Sequence, residues 1–243
     1  VAHMKYNYFP APTDTLSRKT LNEKVLYLID SGTCDKAGIS QEDIYNAYTG
    51  DGGLHGLQRK DYDNYHCYSE KKKEMENGQF FTPPDVCRLV AESLRPSRSD
   101  LIADLTCGKG SFFNFMPVEA NLYGCELDAK AYKVAHFLFP AANLHLGDLR
   151  SYEPEVRFDY VVGNPPFNLR WITDNGECLS QLFYCTKAAQ ALKPLGILAL
   201  VVPQSFLADT FSDGKMIKEL ESQFSFLGQI GLPDDVFAPL GVE

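Results

Sequence analysis

One strand that ends abruptly constrains the fold of this chain more than any other feature. The apolar run Phe158–Val162 is typical of a buried strand, and Gly163 and Asn164 lead from it into Pro165 and Pro166. Because proline has no backbone N–H and fixes its own φ, it cannot continue a strand inside a sheet, and the chain must leave in a stiff loop. In open α/β sheets, ligands bind beside such loops at the carboxyl ends of the strands.

The loop after this strand carries an unusual set of groups. The Asn164 side-chain oxygen and the Pro165 carbonyl are acceptors that together suit both hydrogens of an exocyclic amine, and Phe167 offers a ring on which a planar base can stack. A strand-ending turn with a buried Phe167 has the same pattern. The loop alone leaves two interpretations open: a site for the amino group of a nucleobase, and an ordinary turn.

Apolar runs of strand length alternate with helical patterns along the chain. The predicted strands begin at Leu101 and then cover Asn121–Glu126, Asn143–Asp148, Phe158–Val162, Ile197–Val202 and Phe226–Gly231. One intervening helix is predicted to bury the face formed by Leu179, Leu182, Phe183, Thr186, Ala189 and Leu192. Strands that alternate with helices are joined by crossovers, which make neighbouring strands parallel. The sequence therefore predicts a doubly wound α/β fold with a mostly parallel sheet.

A glycine turn and two acidic residues indicate a nucleoside-containing ligand at the same edge. The strand from Leu101 breaks into Gly108-Lys109-Gly110, where glycine permits close approach of a ligand to the backbone. The spacing excludes a phosphate-binding P-loop, and the third glycine typical of nucleotide-binding oxidoreductases is absent. The next strand ends at Glu126, where an acidic residue holds a ribose diol in related sheets. Asp148 ends the third strand, placed to accept from an adenine amino group.

Two helix starts can be located from their capping residues. Thr82 is predicted to cap a helix whose first turn contains Pro83 and Pro84. The free N–H groups of that turn and the Thr82 hydroxyl suit a ligand carboxylate, although a well-capped helix without a ligand has the same sequence. Asp128 is predicted to cap the helix that follows Glu126.

The first part of the chain is less informative. Residues 5–75 carry a weak helical pattern, so we expect residues 1–75 to form a helical N-terminal extension and residues 76–243 to form a catalytic domain. Residues 1–3 resemble a remnant of cloning ahead of Met4.

Charge and cysteine usage limit the functions open to this chain. The net charge of −9 has the wrong sign for a surface that grips a phosphate backbone unaided. The seven cysteines form no Cys-x-x-Cys pair and no zinc-type spacing, so we expect reduced thiols, no metal site and a cytoplasmic location. No apolar run approaches the ~20 residues of a membrane span, so no membrane partner is expected.

Taken in this order, the segments resemble the motifs of N6-adenine-specific DNA methyltransferases. The segment Gly78–Pro84, the glycine turn, the two acids and Asn164–Phe167 are similar to those of the gamma-type amino-methyltransferases, which are related to methylase subunits of type I and type II restriction-modification systems. The resemblance covers residues 75–240. It implies the Rossmann-like fold of class I methyltransferases that depend on S-adenosylmethionine (SAM), with SAM as cofactor and no metal.

The resemblance also implies which residues form the site. Those implied to bind the cofactor are Phe81, Thr82, Pro83, Asp104, Thr106, Cys107, Gly108, Gly110, Glu126, Leu127, Asp148, Leu149 and Asn164. Those implied to be catalytic are Asn164, Pro165, Pro166 and Phe167. The implied reaction transfers a methyl group to N6 of an adenine flipped out of DNA, with the two acceptors stabilising the positive charge that develops on N6.

The sequence departs from the family pattern in two ways. Lys109 stands between the glycines, where a small residue is commoner in the family. The chain also ends where relatives add a last strand and a target-recognition domain, so we expect DNA to be bound through a domain or subunit outside this chain. A DNA-binding surface outside this chain would account for the net charge of −9.

Two alternatives share these motifs. Enzymes that methylate an RNA base or a protein glutamine amide use the same loop, because their substrates also present a planar group with an amino nitrogen. A non-catalytic SAM-binding scaffold would keep the fold and bind only a partner. Phe167 and the Gly78–Pro84 segment favour adenine in DNA, and the intact motifs favour an enzyme.

Overall fold

The computed structural model describes residues 4–9, 15–52, 59–76, 80–118, 120–167, 169–173, 176–207 and 215–237. The helices are α1 (Thr15–Ser31), α2 (Gln41–Ala47), α3 (Tyr65–Glu76), α4 (Pro84–Leu94), α5 (Ala129–Leu138), α6 (Ser180–Ala191) and α7 (Lys215–Gln223). The strands are β1 (Leu101–Asp104), β2 (Asn121–Glu126), β3 (Asn143–Leu146), β4 (Phe158–Gly163), β5 (Arg170–Thr173), β6 (Gly176–Leu179) and β7 (Leu192–Leu200). None of these helices combines the length and apolar composition that a bilayer crossing requires. The predicted cloning remnant and the start of the Gly78–Pro84 segment lie outside the described residues.

The centre of the molecule is a five-stranded sheet in the order β3-β2-β1-β4-β7. Every neighbouring pair in it is parallel. The chain builds outward from β1 to β3 in one direction and from β4 to β7 in the other, so the order reverses between β1 and β4. The predicted parallel, doubly wound sheet is confirmed.

Helices cover both faces of this sheet. Successive strand residues point to opposite faces, and the two hydrophobic cores follow that alternation. Ile102 and Val162 belong to the core that contains Val134 of α5. Ala103 and Val161 belong to the core that contains Tyr184 of α6. The site at the end of the strands is therefore held between two packed layers.

The described N-terminal residues pack onto the face that carries α5. Tyr6, Ile44 and Tyr45 belong to the same core as Val134. The Tyr6 hydroxyl donates to the carbonyl of Leu138 at 2.6 Å, at the end of α5. Helices α1 and α2 thus share their hydrophobic core with the sheet.

The carboxyl-terminal elements differ from those predicted from the sequence. The predicted strand Phe226–Gly231 is wrong, because the segment has no regular secondary structure and pairs with no strand in the described residues. Phe226 and Leu227 are 69% and 78% exposed. An apolar run favours a strand, but a strand forms only where a neighbour completes its ladder. The chain also begins β7 at Leu192, ahead of the predicted Ile197, and forms an antiparallel β5-β6 hairpin that was missed.

The predicted buried face of α6 is only partly correct. Leu182 and Phe183 are half-buried, whereas Tyr184 and Ala188 are fully buried. Leu182 packs in a separate hydrophobic cluster that contains Leu220 of α7. Small and aromatic side chains instead form the face against the sheet.

One predicted cap is wrong and another is confirmed. The residue that precedes α4 is Pro83, no side chain caps this helix, and Thr82 lies one residue further out. Proline at the helix start already removes one of the N–H groups that a cap would satisfy. Asp128 caps α5 as predicted, because its side chain accepts from the Lys130 N–H at 3.0 Å.

Candidate active site

The carboxyl ends of β1 and β4 lie side by side, where the strand order reverses. Asp104 at the end of β1 is in register with Val162 of β4, just before Gly163 and Asn164. On its other side β1 pairs with β2, which ends at Glu126. Ligands of open α/β sheets bind in the crevice at such a switch point. The fold therefore brings the glycine turn, Glu126 and the loop after β4 to one edge.

The Glu126 carboxylate holds the backbone around the turn. One oxygen accepts from the Gly108 N–H at 2.7 Å and the other from the Asp128 N–H at 2.7 Å. The residue is only 6% exposed, and this burial raises its pKa against the opposing effect of the two N–H donors. Each oxygen accepts one of these bonds, and a carboxylate oxygen has room for a second donor. Glu126 can therefore hold the turn and bind a ligand hydroxyl together.

Gly110 is required by packing as well as by backbone conformation. Its φ is +87°, and a Cβ built on it would lie 2.6 Å from Cε2 of the buried Phe139 ring. Any other residue would need a disfavoured conformation and a displaced ring. Packing against Phe139 is thus a second reason for glycine at this position, beside the predicted close approach of a ligand.

Asp104 is a buried carboxyl group beside the turn. It is 2% exposed, and its Oδ1 accepts from the N–H of Thr106 at 3.0 Å. Burial raises the pKa of Asp104 to about 7. The predicted site residue Thr106 is half-buried as a whole, but its hydroxyl oxygen is buried and makes no hydrogen bond within the described residues.

Tyr184 of α6, which was not among the predicted site residues, joins the two strands that carry the site. Its hydroxyl donates to the Val162 carbonyl at 2.8 Å and accepts from the Leu105 N–H at 3.0 Å. A Cβ at Gly163 would lie 2.2 Å from this hydroxyl oxygen, which explains the glycine at the end of β4. A buried tyrosine hydroxyl usually has a partner, but nothing local in the sequence indicates which one.

The loop after β4 presents a buried acceptor that has no donor. Asn164 Oδ1 is buried and makes no hydrogen bond within the described part of the chain. Pro165 is buried, and the Pro166 carbonyl accepts from the Ser180 hydroxyl at 2.6 Å. The loop is therefore held from α6, while one of its two predicted acceptors remains unsatisfied.

Phe167 lies in an aromatic group beside that acceptor. Its ring is half-buried and meets Phe80 edge-on, with centroids 6.4 Å apart. Phe80 in turn meets Phe237 edge-on at 6.1 Å. Phe167 is not turned fully into the core, so the ordinary-turn interpretation with a core phenylalanine does not describe it. Phe80 and Phe237 were not predicted.

Asp148 follows β3 and is already paired. Arg150 Nη2 donates to its Oδ2 at 2.6 Å, and this partner holds the pKa of Asp148 below its usual value. The Arg150 guanidinium lies 5.9 Å from the ring of Trp171. Of the neighbouring predicted residues, Leu149 is buried in the core and Leu127 is 70% exposed. Asp148 therefore stands at the predicted edge with its charge compensated.

Several residues predicted to contact the cofactor are core residues. Phe81 is 8% exposed and its ring lies 5.8 Å from that of Tyr48. Thr82 is 6% exposed, and Cys107 donates its backbone N–H to the Cys125 carbonyl at 3.0 Å. Pro83 is half-buried. Phe81, Thr82 and Cys107 therefore leave only a small part of their side chains open to a ligand.

The other end of the sheet offers a groove without comparable chemistry. An open groove of about 250 Å³ is lined by residues that include Asp159 and Lys193. Their charges compensate each other in an ion pair at 2.8 Å. Within the described ranges, no group of three or more His, Cys, Asp or Glu side chains is arranged to hold a metal ion.

Comparison with known proteins shows which families this chain resembles. The sequence profile of the family described as N-6 DNA Methylase matches residues 65–243. The Type II methyltransferase M.CvrRI of Paramecium bursaria Chlorella virus XZ-6E is 26% identical over 160 residues, covering 60% of this chain and 41% of the relative. The Type I restriction enzyme MjaIX methylase subunit of Methanocaldococcus jannaschii is 31% identical over 124 residues, covering 43% of this chain and 22% of the relative. The crystal structure of a modification subunit of a putative type I restriction enzyme from Vibrio vulnificus YJ016 superposes with a TM-score of 0.48 at 21% identity, covering 64% of this chain and 42% of that one.

The match to the family extends over most of the chain. It includes the glycine turn, both acidic residues and the loop after β4. The chain spans less than half the length of the two curated relatives. The resemblance found in the sequence is confirmed, and the chain belongs to the N-6 DNA methylase family.

Proposed function

We propose that this protein transfers the methyl group of SAM to the exocyclic N6 amino group of an adenine in DNA. The observation that carries the proposal is the buried Asn164 side-chain oxygen, which lacks a donor within the described residues. An unsatisfied buried acceptor costs about 1–3 kcal/mol, so it calls for a ligand that supplies the donor. Family membership supports adenine in DNA as that ligand.

The cofactor fits the residues around the glycine turn. Glu126 has acceptor capacity left for a ribose hydroxyl, because each of its oxygens accepts one backbone N–H. Gly108 and Gly110 leave the backbone free of side chains. Asp148 would accept from the adenine amino group of the cofactor while it stays paired with Arg150. When bound, SAM supplies a methyl group made electrophilic by its sulfonium.

Asn164 and Pro165 act on the nucleophile. Adenine N6 is a weak nucleophile because its lone pair is delocalised into the ring. The Asn164 side-chain oxygen and the Pro165 carbonyl would accept its two hydrogens, which draws the nitrogen toward a pyramidal geometry and stabilises its developing positive charge. Ser180 holds the adjacent Pro166 carbonyl, so the acceptors are oriented before the substrate binds.

Phe167 would hold the base itself. The ring is half-buried at the edge of the sheet, so part of its surface remains open for stacking. Taking an adenine out of a duplex costs a few kcal/mol, and stacking on Phe167 offsets part of that cost.

DNA would reach this site with the help of a further domain or subunit. The net charge of −9 does not favour a phosphate backbone, so the basic surface would come from a target-recognition region outside residues 76–243, the proposed catalytic domain. The similarity to a methylase subunit of a type I restriction enzyme supports a role in a restriction-modification system. The free thiols of the described cysteines favour the reducing cytoplasm as the location.

The substrate can be identified by mass spectrometry of nucleosides. The full-length protein is incubated with SAM and unmethylated DNA, RNA or protein, and we expect N6-methylated adenine in the DNA. A methyl group found only in RNA or on a glutamine amide would refute the proposed substrate.

The role of Asn164 is tested by Asn164→Ala. We expect turnover to fall by about 10²–10³ or more, because a group that stabilises charge in the transition state is lost. SAM affinity, measured by calorimetry, should stay the same. Asn143→Ala is the matched control, because Asn143 is an exposed asparagine at the start of β3, at the opposite edge of the sheet from the site. Equal turnover in the two variants would remove Asn164 from the mechanism.

A further inference from the structure

Lys109, the residue that departs from the family pattern, is a buried lysine inside the glycine turn. It is only 9% exposed. Its Nζ donates to the Tyr45 carbonyl at 2.5 Å and to the Tyr48 carbonyl at 2.8 Å. The ammonium also lies 4.5 Å from the centre of the Tyr45 ring and 5.3 Å from that of Phe81. A buried amino group is tolerated only with such partners, so this contact is specific.

The carbonyls that receive Lys109 belong to the end of α2. The last carbonyls of a helix have no partner within it and carry its negative dipole end, so they suit an amino group. Burial lowers the pKa of Lys109 to about 7. A neutral amine still carries two N–H groups, so both bonds can form in either protonation state.

A polar network holds the end of α2 in place. Buried Arg18 of α1 donates to the Gly50 carbonyl at 3.1 Å and to the Gly52 carbonyl at 2.9 Å. Asn22 accepts from the Thr49 N–H at 2.9 Å and donates to the Gly50 carbonyl at 2.8 Å. The segment that directly follows the acceptor Tyr48 is therefore hydrogen-bonded to α1.

The glycine turn is gripped from two directions. Glu126 binds the Gly108 N–H from the sheet side, and the Lys109 side chain extends to the N-terminal helices. We propose that Lys109 is a positioning residue, which makes the end of α2 a functional part of the cofactor site by anchoring the glycine turn to it. This inference rests on the proposed function, because it assumes that the turn binds SAM.

The first test compares SAM affinity by calorimetry in the full chain. Lys109→Met keeps the length of the side chain and removes both donors. We expect its dissociation constant for SAM to rise about 10-fold, in the range found for residues that couple a site to its surroundings. Lys133→Met is the control, because the same substitution there removes a partly exposed ion pair between Lys133 of α5 and Asp30 of α1. It should leave SAM affinity unchanged.

A second variant separates positioning from simple structural support. Asn22→Ala loosens the segment that receives Lys109 without touching the turn. We expect about 3-fold weaker SAM binding from Asn22→Ala in the otherwise unchanged chain, and no further weakening when it is added to Lys109→Met. If the fold-losses of SAM affinity in the two single variants multiply in the double variant, the effect of Asn22→Ala on the cofactor site does not pass through Lys109, and the inference is overturned.

The outcomes distinguish the two proposals. If the unchanged chain binds no SAM, the proposed function fails. If it binds SAM and a folded Lys109→Met variant binds equally well, only the positioning role of Lys109 fails. If Lys109→Met does not fold, the Asn22→Ala variant decides, because unaltered affinity there would show that the end of α2 does not act on the cofactor site.

Discussion

The hydroxyl of Tyr184 makes the most direct connection between the two halves of the site, and removing it tests that connection. The residue is fully buried, and its oxygen bonds both the Val162 carbonyl of β4 and the Leu105 N–H that follows β1. Phenylalanine has nearly the same shape, so Tyr184→Phe removes these two bonds and leaves the packing in place.

The cost can be worked out from the two partners. The Leu105 N–H would be left buried without an acceptor, at about 1–3 kcal/mol, and the bond to the Val162 carbonyl contributes about 0.5–1.5 kcal/mol. We expect the free energy of unfolding to fall by about 1.5–4.5 kcal/mol. For a chain of this size, the melting temperature should fall by about 3–18 °C.

Urea denaturation followed by circular dichroism measures this change. Tyr27→Phe is the matched control, because Tyr27 is 69% exposed and the same substitution there should alter the free energy of unfolding by less than about 0.5 kcal/mol. If both variants unfold at the same urea concentration, the hydroxyl does not bridge β1 and β4 and the reasoning is refuted.

Two further predictions concern the buried acids. Glu126→Ala should weaken SAM binding about 10-fold or more in calorimetry, because it removes a ribose acceptor and the bond to the Gly108 N–H. The control Asp128→Ala loses only a helix cap worth about 1 kcal/mol and should keep its affinity for SAM. The pKa of Asp104 is about 7 in the folded protein, against 3.8 for an ordinary aspartate. Between about pH 4 and pH 7 the folded state therefore keeps a proton that the unfolded chain releases, so Asp104 lowers the free energy of unfolding as pH rises through this range. Asp104→Asn should remove that loss. Relative to the unchanged chain, the free energy of unfolding of the variant should rise by up to about 1.4 kcal/mol per pH unit across this range. If urea denaturation gives the same pH dependence of that free energy for both proteins, the raised pKa of Asp104 is contradicted.

The sequence determined the parts of this protein that depend on short stretches of chain. Pro165 and Pro166 end β4 because proline cannot continue a ladder, wherever the neighbouring strands lie. The alternation of apolar runs with helical patterns was sufficient for the parallel sheet, and the capping role of Asp128 follows from residues within one turn. The family motifs are also short segments, so the resemblance to the family depends on local sequence alone.

Only the tertiary structure decided which distant groups meet. Lys109 reaches carbonyls 64 and 61 positions away, and Tyr184 reaches Leu105 across 79 positions; no local pattern encodes either pairing. The Phe226–Gly231 segment shows the same limit, because its apolar composition favours a strand while strand formation depends on a neighbour elsewhere. Turns and caps follow from the energetics of adjacent residues, whereas buried polar partners and sheet edges are set by the packing of the whole chain.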